Sequence, residues 1–154
     1  DVTLTYTKNS AVFKSDEYTI YTRLITGNYF PYQKMFTEGE INTCASRTAL
    51  IGAMTRAKMC TEEKQPAVFQ IEDDVLNISI RDKLADYQEQ VPLQETVCKS
   101  IRLGFDSKLV LETLKAFTCD NIALGFTSPR TPMIVEAEDS DMKAMVLPVA
   151  IREA

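Results

Sequence analysis

The feature that most constrains how this chain folds is a unit that occurs twice, sixty positions apart. Ile41-N-T-C-A-Ser46 is a short, partly β-branched run leading straight into R-T-A-L-I-G-A-M-T-R-A-K-M-Cys60. Ile101-R-L-G-F-Asp106 leads in the same way into S-K-L-V-L-E-T-L-K-A-Phe117. Each copy reads as a strand feeding a helix. Ser46 and Asp106 are suited to the N-cap, because a side-chain oxygen there can accept an otherwise orphaned N–H of the first turn. In the first helix Leu50, Ile51, Ala53, Met54, Ala57 and Cys60 share one broad face at about 3.6 residues per turn. Thr48, Gly52, Thr55 and Met59 lie opposite, flanked by Arg56 and Lys58. In the second, Leu109, Val110, Leu111, Thr113, Leu114 and Phe117 form the apolar arc, with Lys108 and Lys115 on the far side, about two turns apart. A repeat at this spacing implies an internal duplication whose copies pack on one another.

The remaining segments read mainly as strands. Val2 to Thr7 alternates apolar and polar, Lys8 to Ser10 is a turn, and Ala11 to Lys14 and Tyr18 to Ile25 follow as strands of an antiparallel set. Val2-T-L-T-Y-Thr7 also parallels Ile122-A-L-G-F-Thr127, so the beginning of the chain resembles the tail of a further copy of the repeat, and the chain reads as a fragment. Gly27 and Pro31 mark a linker. After the first helix come a polar loop (Thr61 to Pro66), strands at Ala67 to Ile71 and Val75 to Ile80 across an Asp73-Asp74 hairpin turn, and a strand from Asp86 to Thr96. The second copy opens with a strand from Cys98 to Gly104 before its helix and continues with Ile122 to Thr127, a Ser128 to Pro132 turn, Met133 to Glu136, an acidic turn from Glu138 to Asp141, and a last strand from Met145 to Ile151. The order is βαβββ, twice. Many strands and two helices predict an α+β fold with antiparallel sheets and the helices side by side on one face. Arg56, Lys58, Lys108 and Lys115 then share one surface.

Composition limits the function classes. Charged residues make up 25% and hydrophobic ones 45%, the balance of a globular protein. No apolar run approaches the roughly 18 residues of a spanning helix, and no signal peptide is visible. The net charge is -5, yet Ser46 to Cys60 carries three cations and no acid, leaving -8 elsewhere. Such a segment is either a solvated helix face or a local phosphate-facing surface on an acidic molecule. The chain has no histidine, and Cys44, Cys60, Cys98 and Cys119 lack C-x-x-C spacing, which argues against zinc and for reduced thiols in a cytosolic protein. Without histidine, and with no recognisable nucleophile context, an enzyme is disfavoured. The acid pairs Glu62-Glu63, Asp73-Asp74 and Asp139/Asp141 fall in predicted turns, where solvated carboxylates are expected.

Several longer stretches carry a family resemblance. R-L-I-T-G-N-Y-F-P-Y-Q-K-M-F (Arg23 to Phe36) resembles the linker after the middle domain of the bacterial sliding clamp, the β subunit of DNA polymerase III. Leu103 to Glu136 resembles its third domain, and M-V-L-P-V (Met145 to Val149) the end of its chain. The chain departs from the family at Phe30, where proline is usual, at Pro31, where Asp or Asn is usual, and at Ala150, where arginine is usual. Residues Ile151 to Ala154 extend beyond the family's usual stop.

The resemblance implies a DNA-clamp fold of two βαβββ repeats, sheets outside and helices on the inner face. It divides the chain into residues 1–36, the end of the middle domain with its linker, and 37–154, the third domain. It further implies a non-catalytic, cytoplasmic processivity factor without cofactor or metal, which closes as a homodimeric ring around duplex DNA without reading its sequence. Arg56, Lys58, Lys108 and Lys115 would face that DNA. The catalytic subunit of DNA polymerase III, the clamp loader and repair proteins would insert short peptides into a cleft formed here by Phe30, Lys34, Met35, Asp106, Leu109, Arg130, Pro132, Met145, Val146, Leu147, Pro148 and Val149. On pattern alone Met145, Leu147 and Val149 also fit the core face of a closing strand, whereas the proline among them fits an edge beside a cleft. A clamp-fold adaptor that never encircles DNA is the alternative.

Overall fold

In the computed structural model, which describes residues 1–60, 65–81, 86–137 and 140–151, each repeated unit is a strand that enters its helix without an intervening loop. Strand β4 (Ile41–Ser46) runs into α1 (Arg47–Met59), and β6 (Asp86–Phe105) runs through Asp106 into α2 (Ser107–Ala116). Both caps form as the sequence predicts. Ser46 Oγ accepts from the Ala49 N–H at 3.4 Å, and Asp106 Oδ1 accepts from Lys108 at 2.8 Å and Leu109 at 3.3 Å.

The two copies are joined crosswise. Strand β5 (Ala67–Arg81), which leaves α1, pairs antiparallel with β6, which enters α2, beginning at Ala67 and Phe105. Strand β7 (Asn121–Phe126), which leaves α2, pairs with β4, which enters α1, from Ser46 and Asn121 to Ile41 and Phe126. The helices therefore run antiparallel, and they pack against each other. At the start of α1 the Arg47 N–H donates to Asp120 O at 2.9 Å and Arg47 Nε donates to Cys119 O at 2.6 Å, fastening that end to the loop that leaves α2.

With β8 (Met133–Ala137) and β9 (Ser140–Val146) the order is β5-β6-β4-β7-β8-β9. The tail after β9 returns to β6, where the Val149 N–H donates to Gly104 O at 2.8 Å. Glycine is required at this approach, since a Cβ on residue 104 would stand 2.8 Å from Val149 O. One apolar core lies between strands and helices. Leu50, Ala53, Met54 and Ala57 of α1 and Val110, Leu111 and Leu114 of α2 meet strand residues such as Phe69 and Phe105, whose rings touch edge to face at 5.2 Å.

The structure corrects the expected strand map. Asp73-Asp74 is not a hairpin turn, because β5 continues through it as one strand, and the segments Asp86 to Thr96 and Cys98 to Gly104 are both parts of β6. Between the pairs Ile71–Ile101 and Val75–Pro92, β5 advances four residues while β6 advances nine. This odd surplus of five reverses the parity of one strand relative to the other. The buried positions of β5 change from Phe69 and Ile71 to Leu76, Ile78 and Ile80, while those of β6 stay on Val91, Leu93, Val97, Ile101 and Leu103. Asp73 absorbs the distortion at φ 52°, a left-handed conformation that Asp tolerates better than most side chains. The last strand also differs: it begins at Ser140, includes Asp141 and ends at Val146 rather than starting at Met145. Glu62, Glu63 and most of the predicted 61–66 loop, Glu138 and Asp139 of the acidic turn, and the final extension at 152–154 lie outside the described residues.

The chain divides into two units, Asp1–Gln33 and Lys34–Ala154. The first is an antiparallel meander of β1 (Thr3–Tyr6), β2 (Ser10–Lys14) and β3 (Thr19–Arg23). Its register aligns Leu4, Phe13 and Ile20 across one face. All three remain exposed, by 52%, 39% and 60%.

Candidate nucleic-acid interface and peptide cleft

The sides of α1 and α2 turned away from the core carry the four cations singled out in the sequence. Lys108 and Lys115 are exposed on α2 about 10 Å apart along its axis, and Lys108 Nζ stands 4.0 Å from Glu112 one turn on. Lys58 is exposed in the last turn of α1. Because the helices are antiparallel, Lys58 and Lys108 occupy the same end of the pair and Lys115 the other.

Arg56 is gripped by a carboxylate from another element. Its Nε donates to Glu89 Oε2 at 2.8 Å and its Nη2 to Glu89 Oε1 at 2.5 Å, a two-pronged ion pair between α1 and β6. The Tyr87 hydroxyl lies between two acceptors, the Glu89 carboxylate and Ala53 O at 2.9 Å. The guanidinium, and secondarily the Tyr87 hydroxyl, hold the Glu89 carboxyl below its ordinary range. Burial, and then the adjacent carboxylate, push the Tyr87 phenol up. Nothing in the sequence near Arg56 announces a partner that lies 33 residues away. A hint existed in Tyr87 and Glu89 occupying the inward-facing parity of β6.

The cleft residues divide between the two units. Phe30 belongs to the first unit and is 63% exposed. Lys34 and Met35 open the second, closing a 3-10 turn (Tyr32–Met35) with Lys34 exposed and Met35 half-buried. Asp106 caps α2, and Leu109 is 49% exposed in its first turn rather than part of the predicted core arc. The correction follows from the burial stripe Val110, Leu111 and Leu114, which rotates the core-facing side away from Leu109. Val146 is buried, opposite Met133, whereas Leu147 and Val149 are exposed and Pro148 is half-buried. The core-face reading of Met145, Leu147 and Val149 thus fails where the strand ends, because the buried member is Val146. One step along the Met133–Val146 register brings Pro132 abreast of Leu147. Arg130 is exposed in the preceding turn, where Thr131 Oγ1 accepts from the Ser128 N–H at 2.9 Å. Since α2 packs against β9 and the tail pairs with the strand entering α2, Asp106, Leu109, Leu147 and Val149 gather at the N-terminal end of that helix.

Residues 35–150 match the sequence profile of the family described as DNA polymerase III beta subunit, C-terminal domain. The chain belongs to that family. Its curated relatives include the beta sliding clamps of Staphylococcus aureus strain N315, 24% identical over 154 residues, and Streptococcus pneumoniae, 22% identical over 156. The alignments cover 97% and 98% of this chain, but the chain spans only 41% of either relative. Among solved structures, the DNA polymerase sliding clamp of Caulobacter crescentus superposes with a TM-score of 0.89 at 14% identity, covering 97% of this chain and 41% of that one. The DNA polymerase III beta subunit of Pseudomonas aeruginosa gives 0.87 at 19% identity, covering 97% and 42%. The α+β clamp fold is therefore shared. In this member of the family all four cysteines are thiols, and among the described residues no helix is long and apolar enough to cross a membrane.

Proposed function

We propose that the chain forms part of a sliding clamp, with residues 1–36 the end of its middle domain and 37–154 its third domain. In this reading the protein performs no chemistry. It closes as a homodimeric ring around duplex DNA in the cytoplasm, and it tethers the catalytic subunit of DNA polymerase III, the clamp loader and repair proteins through short peptides. Family membership over residues 35–150 carries the proposal. The exposed apolar face of Leu4, Phe13 and Ile20 supports the assignment of 1–36, because a three-stranded meander is stable when that face is covered by further structure. Exposed Leu109, Leu147 and Val149 with Arg130 nearby suit a peptide with apolar anchors and an acidic or terminal carboxylate.

Lys58, Lys108 and Lys115 act on phosphates. Contacts of that kind position DNA without reading it, and each contributes about 0.9 to the slope of log affinity against log salt. The test is retention of rings containing this sequence on nicked circular DNA. Lys108→Gln and Lys115→Gln should each shorten retention and lower the salt slope by about 0.9, and linearising the DNA should release the wild-type ring. Retention that ignores both the substitutions and the ends of the DNA would overturn the proposal.

A further inference from the structure

Arg56 combines three features that a simple phosphate-contacting arginine does not need. Both arms of its guanidinium are engaged by one carboxylate, at 2.8 and 2.5 Å. That carboxylate is held in turn by Tyr87, whose hydroxyl also faces the backbone of α1 at Ala53. The helix also carries a glycine at the position that the bent-back arginine passes over, for a Cβ on Gly52 would lie 3.2 Å from Nη2 and 3.4 Å from Nη1. Glycine inside a helix is unfavourable relative to alanine, so its presence here has a packing reason. Yet the Arg56 side chain is still 57% exposed, in the last turn of α1, at the same end of the helix pair as Lys108.

We infer that Glu89 sets the DNA affinity of this surface by withholding Arg56 from it. The carboxylate acts as an internal substitute for a phosphate: it offers the same two-pronged acceptor geometry, is tethered, and is already oriented by Tyr87. A phosphate that approaches the helix pair meets Lys108 and Lys115 directly. It reaches Arg56 only by displacing Glu89. The surface consequently binds duplex more weakly than its count of cations implies, which suits a protein that must slide rather than stick. The inference rests on the DNA-facing reading of the helices given above.

The test uses the 154-residue chain and a mixed-sequence 30-base-pair duplex, with fluorescence anisotropy followed across salt concentrations. Glu89→Gln should tighten binding and steepen the salt slope by about 0.9, so that its advantage shrinks about 3.5-fold between 50 and 200 mM salt. Arg56→Gln alone should leave affinity nearly unchanged, and added to Glu89→Gln it should remove the gain and the added slope. A gain that survives Arg56→Gln would reduce the effect to the loss of one negative charge and overturn the inference. So would an Arg56→Gln variant that weakens binding as much as Lys108→Gln does, because Arg56 would then already be on phosphate. If Lys108→Gln and Lys115→Gln weaken binding but Glu89→Gln does nothing, this inference alone falls; if neither wild type nor Glu89→Gln binds, the DNA-facing reading falls with it. The Arg56 Nε–H resonance gives a separate readout, expected to be protected from exchange in wild type and unprotected in Glu89→Gln; a resonance unprotected in both would also refute the clasp. Thermal melting of each variant checks that the fold is intact.

Discussion

Gly104→Ala is the substitution that best separates the tail from the rest of the domain. The added methyl would stand 2.8 Å from Val149 O, 3.0 Å from Ile151 Cγ1 and 3.3 Å from Pro66 Cβ, so one of these neighbours has to move. Forcing a methyl into a packed site costs about 1–3 kcal/mol. The alternative is to give up the single bond from the Val149 N–H to Gly104 O, with a net contribution of about 0.5–1.5 kcal/mol. Release is the less costly response, because β6 is held along its length by β5 whereas the tail is held here by one bridge. The expected loss is then about 1 kcal/mol, a fall in Tm of about 2–4 °C for a chain of this length. Amide exchange should localise the effect, with Val149 exchanging roughly five- to tenfold faster and core amides such as Ile101 shifting only with global stability. A clamp-binding peptide titrated into the variant should bind more weakly, since Leu147 and Val149 would no longer be held beside α2. A Val149 amide as protected as in wild type, together with a Tm fall above about 10 °C, would show that β6 rather than the tail absorbs the strain.

Removing the α2 cap with Asp106→Ala should lower stability by about 1 kcal/mol in urea unfolding, with most of it regained in Asp106→Ser. Ser107 Oγ is buried with no hydrogen-bond partner among the described residues, so Ser107→Ala should raise stability by about 1 kcal/mol, and a destabilised variant would mean that the hydroxyl has a partner in solution. Glu89 titrates below the ordinary carboxyl value of 4.5 when folded, so its stabilising effect is fully present above that pH and disappears as pH falls through the lower folded value. The stability difference between wild type and Glu89→Gln should accordingly be flat from neutrality to about pH 5 and shrink below 4.5, and a difference that grows on acidification would contradict the clasp.

The parts of the fold readable from the sequence were those set by near neighbours. Ser46 and Asp106 cap their helices through bonds to residues two or three positions away, and the sixty-residue offset already implied two similar units with their helices side by side, though not that their strands pair crosswise. Asp73-Asp74 misled because a turn-forming pair and a distorted strand call on the same left-handed backbone, and only the register with β6 distinguishes them. Leu109 misled because an apolar arc has ambiguous edges until its neighbours fix which stripe is buried. At the candidate site, Lys108 and Lys115 could be placed on the outer side of α2 from helical periodicity alone. The Arg56–Glu89 pair could not, since it depends on how β6 passes under α1, and no local pattern encodes that.

The crosswise pairing has a consequence for how the domain comes apart. A duplicated fold can in principle be two small bodies side by side, each able to melt alone. Here the strand that leaves each helix also pairs with the strand that enters the other helix, and β5 and β6, of 15 and 20 residues, each run through that exchange as one strand. Neither copy owns a complete layer. Cutting the chain between them would therefore leave two halves with unmatched backbone edges and half a core each, and neither would persist as an independent subdomain. The half-copies are interlocked like folded hands, so the domain has one melting transition to offer.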